Sequence, residues 1–405
     1  MSATLTTVAD ILKEVYEGQI NDQLNEERVT MKRLERTADD VTENIGGKYV
    51  VFPVRSGRNH GISYRDESAQ LADAGKQAYK AAQEQLKYGY GRVKFTGQMM
   101  RLARTNAQAF SNALDEEMDG LKQDLGKDEN RIIWGHPDQG ALGHTGILAE
   151  LTSSPAGVDN FTVDDAHWLE VGMKVDTVNS AGPTVDDSNI EIESISGNTV
   201  TMTAVLSSTS GFYLSRTGNY NKEPYGISNI VNSAGALHGL NPATAGQEFW
   251  ASTMDTTTTT LTELAMITMA DRIRTEGGSK ISAVFCSLGV RRSYWNILTG
   301  LRRFNEPKKF TGGLVGLAFQ SDTDGEEVPV VGDPDAPAST MAMLTEKELK
   351  IFRDKDWYWE DLDGSIFKWV SNFDVWEALM KQYWQFGTHK RNAHGRFTAL
   401  TESSG

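Results

Sequence analysis

Residues 105–134 read TNAQAFSNALDEEMDGLKQDLGKDENRIIW, and the rest of the chain hangs on this stretch. Thr105 stands three places ahead of Gln108, the spacing at which hydroxyl and amide satisfy the first orphan backbone donors of a helix. Phe110, Leu114, Met118, Leu121, Leu125 and Ile132 follow at three-, four- and seven-residue steps, the period of one helical face. Thirty residues at about 1.5 Å each predict a rod of roughly 45 Å, far beyond the three turns of an average helix. The other face carries Asp115, Glu116, Glu117, Asp119, Asp124, Asp128 and Glu129 against Lys122 and Lys127, a net charge of −5. Gly120 and Gly126 each weaken a helix by up to about 1 kcal/mol relative to Ala, so packing has to hold it. On the helix alone, an amphipathic surface helix of an ordinary domain reads the same way.

Upstream the period changes to two. Lys48 to Val54 is an extended apolar run closing on Pro53, suited to an edge strand. A polar excursion with Gly57, Gly61 and Gly75 leads to a second extended segment, Ala82 to Thr96. There Leu86, Tyr88 and Tyr90 point one way and Val93 and Phe95 the other, which predicts a bulge near Gly91. The reading is a projecting β-hairpin over 46–104 with no core of its own, and isolated hairpins are marginal in water. Eleven bases against four acids give this segment +7. Lys76, Lys80, Lys87, Arg92 and Lys94 are the candidates for contact with a second copy, at Asp115, Glu116, Glu117, Asp119 and Asp124 of its acidic helix. A solvated charge run has the same composition. Residues 1–45 read as an arm: Leu24, Val29, Met31 and Leu34 are too sparse among charges to make a core, so they are expected to bury themselves on a neighbour or to stay mobile.

Downstream, 135–144 is a Gly-rich loop, and 158–222 reads as an all-β insert of short strands with a tight turn at Ser196-Gly197-Asn198. Ten acids from Asp159 to Glu223 against Lys174, Arg216 and Lys222 give it −7, which suggests a small barrel facing solvent. An α/β section follows, with a helix from the threonine run 256–260 to Gly277-Gly278, an apolar strand over 281–286, a helix over about 290–298 ended by Gly300, and an extended segment from Pro329. From Met341 the chain is rich in aromatics. Asp361-Leu362-Asp363-Gly364-Ser365 reads as a hairpin turn between two strands, 372–386 fits helix or strand with context favouring the strand, and 396–400 ends in a short strand.

A length of 405 residues exceeds what one core fills, so at least two packed bodies are expected. No stretch approaches eighteen apolar residues, which argues against a membrane span, and the N-terminus lacks a signal-peptide pattern. Forty bases against 55 acids give −15, a balance that repels nucleic acid and argues against sequence-specific binding to it. Cys286 is the single cysteine, set in an apolar run, and reads as a buried inert thiol. His136 and His144 lack a third ligand at metal spacing. Asp322-Thr323-Asp324-Gly325 and Asp361-Leu362-Asp363-Gly364 resemble parts of a calcium loop, but Gln320, Val331, Trp359 and Val370 stand where carboxylates are needed. There is no phosphate loop, zinc helix motif or nucleophile elbow, so no catalytic, metal or cofactor site is expected.

The phrases Lys94-Phe95-Thr96-Gly97-Gln98, Gly143-His144-Thr145-Gly146-Ile147, Val328-Pro329-Val330-Val331-Gly332-Asp333 and Arg391-Asn392-Ala393-His394-Gly395, together with the order of segments, carry a resemblance. The whole chain resembles the major capsid proteins of tailed phages, which have the Hong Kong ninety-seven fold. The resemblance implies an α+β fold of N-arm (1–45), E-loop (46–104), spine helix and first part of the P-domain (105–157), β-rich insertion domain (158–222), A-domain (223–345), and P-domain return strands with the closing A-domain strand (346–405). It implies hexamers and pentamers closing into an icosahedral shell around double-stranded DNA, in the virion after assembly in the host cytoplasm, with portal and decoration proteins as further partners. The arm is too short for a fused scaffolding region, so a separate scaffold or none is expected. Some members crosslink an E-loop lysine; Lys76 and Lys80 lie near the tip, but nothing identifies an acceptor. Two other readings stay open: a nanocompartment shell of the same fold, marked by protein cargo, and a tail-associated carbohydrate-binding or hydrolytic protein using the insert.

Overall fold

The computed structural model describes residues 27–37, 39–41, 50–98, 107–179, 184–301, 317–320, 327–361 and 364–403. Helix α1 is Val29–Thr37 and helix α2 is Ala107–Trp134, the long rod that the apolar spacing predicts; Thr105 and its capping box lie outside the described residues. Towards its C-terminal end α2 enters the body, where Glu129, Asn130 and Arg131 are enclosed as well as Ile133 and Trp134.

The sheet that α2 crosses is built on β19, Val375–Thr388. Strand β16 (Leu349–Arg353), then β17 (Tyr358–Trp359), then β18 (Phe367–Trp369) pair in succession along one edge of β19, and β4 (Lys87–Thr96) pairs along ten residues of the other. β1 (Asp39–Val41) adds in parallel outside β16. The pairing corrects two expectations. The strands on either side of Asp361 to Ser365 pair with β19 and not with each other, so they do not make the expected hairpin; Leu362 and Asp363 of the expected turn lie outside the described residues. There is no bulge at Gly91 either: the register with β19 is unbroken from Val375 opposite Thr96 to Trp384 opposite Lys87. Val93 and Phe95 face inward, and Tyr88, Tyr90, Arg92 and Lys94 share the exposed face. Gly91 has a different role. A Cβ there would sit 2.7 Å from Leu125 Cδ1, so the missing side chain lets α2 lie close across the strand.

The arm is corrected in part. Met31 and Leu34 of α1 are 1% and 0% exposed, packed in this chain's own core, and β1 extends its own sheet; residues 1–26 lie outside the described residues.

The all-β insert holds β5 (Ala149–Glu150), β6 (Asn160–Thr162), β7 (Lys174–Asn179), β8 (Ile190–Ser196), β9 (Thr199–Met202) and β10 (Phe212–Arg216) in the order β5-β10-β7-β8-β9-β6. A bridge between Leu151 and Val163 joins the two ends, so the sheet closes into a small barrel filled by Phe161, Trp168, Val175, Ile192, Val200 and Leu214. It starts at Ala149, earlier than 158, and its core is continuous with Trp134, Leu349 and Phe352 of the main body.

The α/β section is a sheet in the order β11 (Thr253–Asp255), β20 (Gly395–Phe397), β15 (Met341–Leu344), β12 (Ala283–Cys286), β14 (Glu327–Gly332), β13 (Leu317–Gln320). Helix α3, Glu263–Gly277, starts after the threonine run, with the Thr262 hydroxyl accepting from the Ala265 amide, and stops at Gly278 in the left-handed conformation. Helix α4 is Leu288–Leu301, so Gly300 lies inside it and does not end it. The side chain of Cys286 is fully buried, and burial pushes its thiol up to about 12.

Candidate assembly surfaces

β2 (Val50–Gly57) and β3 (Ala78–Glu84) form a two-stranded sheet of their own, joined by the excursion 58–77, which carries no strand. Only the foot of this hairpin is buried. Phe52 packs edge-on against His238 at 5.6 Å and stacks on Phe352 at 6.1 Å. The Gln83 amide donates to the His238 carbonyl at 2.9 Å, and Glu84 lies 3.1 Å from His238 Nδ1 and accepts from Gln385 Nε2 at 3.2 Å. Beyond that foot, Ile62, Tyr64 and Leu71 are 81%, 100% and 81% exposed.

The second strand expected from the sequence is therefore two strands with two partners, and the predicted contact bases divide accordingly. Lys76 and Lys80 are exposed on the hairpin. Lys87, Arg92 and Lys94 belong to β4, which is built into the body. Lys87 Nζ donates to the Asn221 carbonyl at 3.0 Å, and burial lowers its pKa, against the raising effect of Glu84. Arg92 reaches Glu377 at 3.6 Å, and Lys94 stands opposite Glu377 in the ladder. Of the predicted acids, Glu117, Asp119 and Asp124 are exposed on α2, whereas the side chains of Asp115 and Glu116 lie outside those described.

Polar residues that the apolar pattern did not single out hold the body behind these surfaces. Asp333, 0% exposed, accepts from the Thr30 amide at 3.0 Å and the Thr30 hydroxyl, from Trp134 Nε1 at 3.1 Å, from Asn130 Nδ2 at 3.2 Å and from the Asp335 amide at 2.8 Å. Asn130 Oδ1 in turn accepts from the Met31 amide at 3.0 Å, and Lys127 pairs with Asp335 at 2.7 Å. The Asp335 carbonyl accepts from Trp168 Nε1 at 3.2 Å, which ties the barrel to the same junction. Arg391 is likewise enclosed, donating to the carbonyls of Asn229, Ile230, Ala234, Gly235 and Trp250. Burial lowers its pKa to about 9. The sequence phrases ending in Asp333 and beginning with Arg391 thus mark junctions where distant segments meet.

Glu129 adds a titrating group to this region. It accepts from Arg28 at 2.7 Å and from Trp357 Nε1 at 2.8 Å. Burial raises its carboxyl to about 7, with Glu35 adding to the rise and Arg28, Trp357 and Gln382 opposing it. A carboxyl raised in the folded state binds its proton more tightly there than in the unfolded chain, so its contribution to stability falls as pH rises from about 4.5 to 7. Glu129→Gln abolishes this titration. The melting temperature of the native chain relative to the Gln variant is therefore expected to drop by several degrees between pH 5 and pH 8. Parallel melts of the two proteins test this, and a pH-independent difference contradicts it.

No family model and no curated protein matches the sequence. Among solved structures, a chain of the cyanophage A-1(L) capsid asymmetric unit is similar at a TM-score of 0.62 and 13% identity, over 99% of this chain and 100% of that one. A chain from the capsid of the empty GTA particle is similar at a TM-score of 0.51 and 9% identity, over 98% and 99%. At these identities the likeness is one of fold, and along its whole length this chain has the fold of the cyanophage capsid chain, the fold that the resemblance in its sequence predicts.

Proposed function

We propose that the chain is a major capsid protein, assembling as hexamers and pentamers into an icosahedral shell around double-stranded DNA, with a structural and non-catalytic role in the virion. The observation that carries this reading is the full-length likeness to the cyanophage capsid chain. The hairpin supports it, because beyond its foot it presents large apolar side chains to solvent and finds no partner for them in the described part of its own chain. In this reading residues 50–84 are the E-loop, α2 is the spine helix, the sheet built on β19 is the P-domain, the sheet from β11 to β13 is the A-domain, and the barrel is an insertion domain. Portal, decoration and scaffolding proteins are the further partners such a shell takes.

Lys76 and Lys80 remain the hairpin bases free to meet Glu117, Asp119 and Asp124 of a second copy. Exposed ion pairs contribute about 0–1 kcal/mol each, so reversing both lysines costs roughly 1–2 kcal/mol per contact, on the order of tenfold in each equilibrium constant. Electron microscopy of the purified chain is expected to show closed shells. Lys76→Glu with Lys80→Glu is expected to cut their yield at least tenfold, and a compensating Glu117→Lys with Asp119→Lys to restore part of it. A chain that stays monomeric at high concentration overturns the capsid reading, and undiminished shells from the reversed variant overturn the pairing.

A further inference from the structure

Helix α1 leaves a basic groove open beside it. Arg28, just ahead of the helix, and Lys32 and Arg36 within it stand at four-residue steps and so share one side. With Val29 and Val331 of β14 they line a cavity of about 460 Å³. Two of the arginines in this region are already engaged. Arg28 pairs with Glu129 at 2.7 Å. Arg33 grips the buried Glu346 through Nε at 2.7 Å and Nη2 at 3.0 Å, and the hydroxyls of Thr37 and Ser282 donate to the same carboxylate. These contacts fasten α1 to the body. Lys32 and Arg36 stay exposed, with no carboxylate at ion-pair distance among the described residues. Thr37 lines a second cavity as well, of about 680 Å³, which carries the groove on to Lys347, exposed in the short turn ahead of β16. Glu27 and Glu327 line the two cavities too, and three open bases outnumber them.

In a chain of net charge −15, an open basic channel with an apolar floor suits an anion that also carries apolar groups. Duplex DNA fits it poorly, because phosphates offer nothing to Val29 and Val331 and the chain as a whole repels so highly charged a rod. The acidic surfaces of a second copy belong to a long helix and a closed barrel, both too broad to enter. An extended acidic peptide enters readily. Residues 1–26 of this chain lie outside the described residues; to run along α1 towards Arg36 the chain must reverse directly before Glu27, and 22–26 hold neither glycine nor proline to turn it. We propose that the channel along α1 binds an acidic segment of a separate protein, with its carboxylates on Lys32, Arg36 and Lys347 and its aliphatic side chains on Val29 and Val331. The inference goes beyond the shell reading and stands without it, since a single copy makes the whole contact.

A fluorescent peptide of Glu-Glu-Leu repeated four times, titrated into the purified full-length chain at low salt and followed by anisotropy, tests it. Saturable binding is expected, weakened about tenfold or more by Lys32→Glu with Arg36→Glu. Both side chains are exposed, so the melting temperature of that variant is expected to stay near the native value. Equal binding to the native and reversed chains overturns the proposal. So does a labelled duplex of the same length that binds more tightly than the peptide and weakens in the same variant, which makes the channel a phosphate site. A chain lacking residues 1–26 that binds the peptide tenfold more tightly also overturns it, because the protein's own N-terminal segment is then the occupant. Microscopy of the same preparation keeps the two readings apart: closed shells from a chain that ignores the peptide overturn this proposal alone, and peptide binding by a chain that never assembles overturns the shell reading alone.

Discussion

Asp333→Ala is expected to lower the melting temperature by roughly 10 °C, or to leave the protein insoluble. The carboxylate is the shared acceptor of α1, α2 and the turn after β14, through Thr30, Asn130, Trp134 and Asp335. Alanine removes the acceptor and leaves those donors enclosed. An orphaned buried donor costs about 1–3 kcal/mol, so three or four of them bring the loss to about 4 kcal/mol or more, in the range reserved for broken buried networks. At a few degrees per kcal/mol this gives the shift stated. Asp333→Asn keeps one carbonyl oxygen and is expected to lose about half as much. Thermal melts at neutral pH decide the matter; a shift below 2 °C for the alanine variant means that the junction does not hold α1 in place.

Replacing residues 58–77 by an Asn-Gly turn is expected to abolish shells and leave the subunit's melting temperature within about 2 °C of the native value. Gly57 and Ala78 already face each other at the end of the β2–β3 ladder, so a two-residue turn closes the hairpin without disturbing its register. The deleted residues are almost all exposed, whereas Phe52, Ala82 and Glu84 at the foot stay in place. What is lost is the exposed apolar tip, which in the shell reading is what other copies meet. Size-exclusion chromatography and microscopy on the same preparation separate the outcomes: particles of normal yield contradict a role for the tip in assembly, and an unfolded subunit contradicts its independence from the core.

Much of the architecture was legible because it is written in local periodicity. Six apolar residues on one face marked α2 to within two residues of the observed start, and short strands between Asn, Ser and Gly marked the barrel. The errors lie where the deciding partner is far away in sequence. Glu129 read as part of the charged outer face, yet Arg28 encloses it from about 100 positions away, and its neighbours Asn130 and Arg131 are enclosed by Asp333 and Glu223 from about 200 and 90. Met31 and Leu34 looked too few for a core and were, alone; the body supplies the rest. Charge counting placed Lys87, Arg92 and Lys94 on the hairpin with Lys76 and Lys80 because net charge carries no information about which strand a base pairs with. Gly91, read as a bulge, marks the close passage of a helix, and both demands select the same residue. The exposed tip left only a faint signal, because Ile62, Tyr64 and Leu71 are isolated in a polar run.

The connection between β3 and β4 is only Gln85 and Leu86, and β4 then runs through ten paired residues beside β19. A pull on the outstretched hairpin is therefore passed, two residues beyond β3, to that ladder. The protruding finger is thus anchored at its root as a beam is let into a wall, with ten paired residues standing between any tug on it and the core.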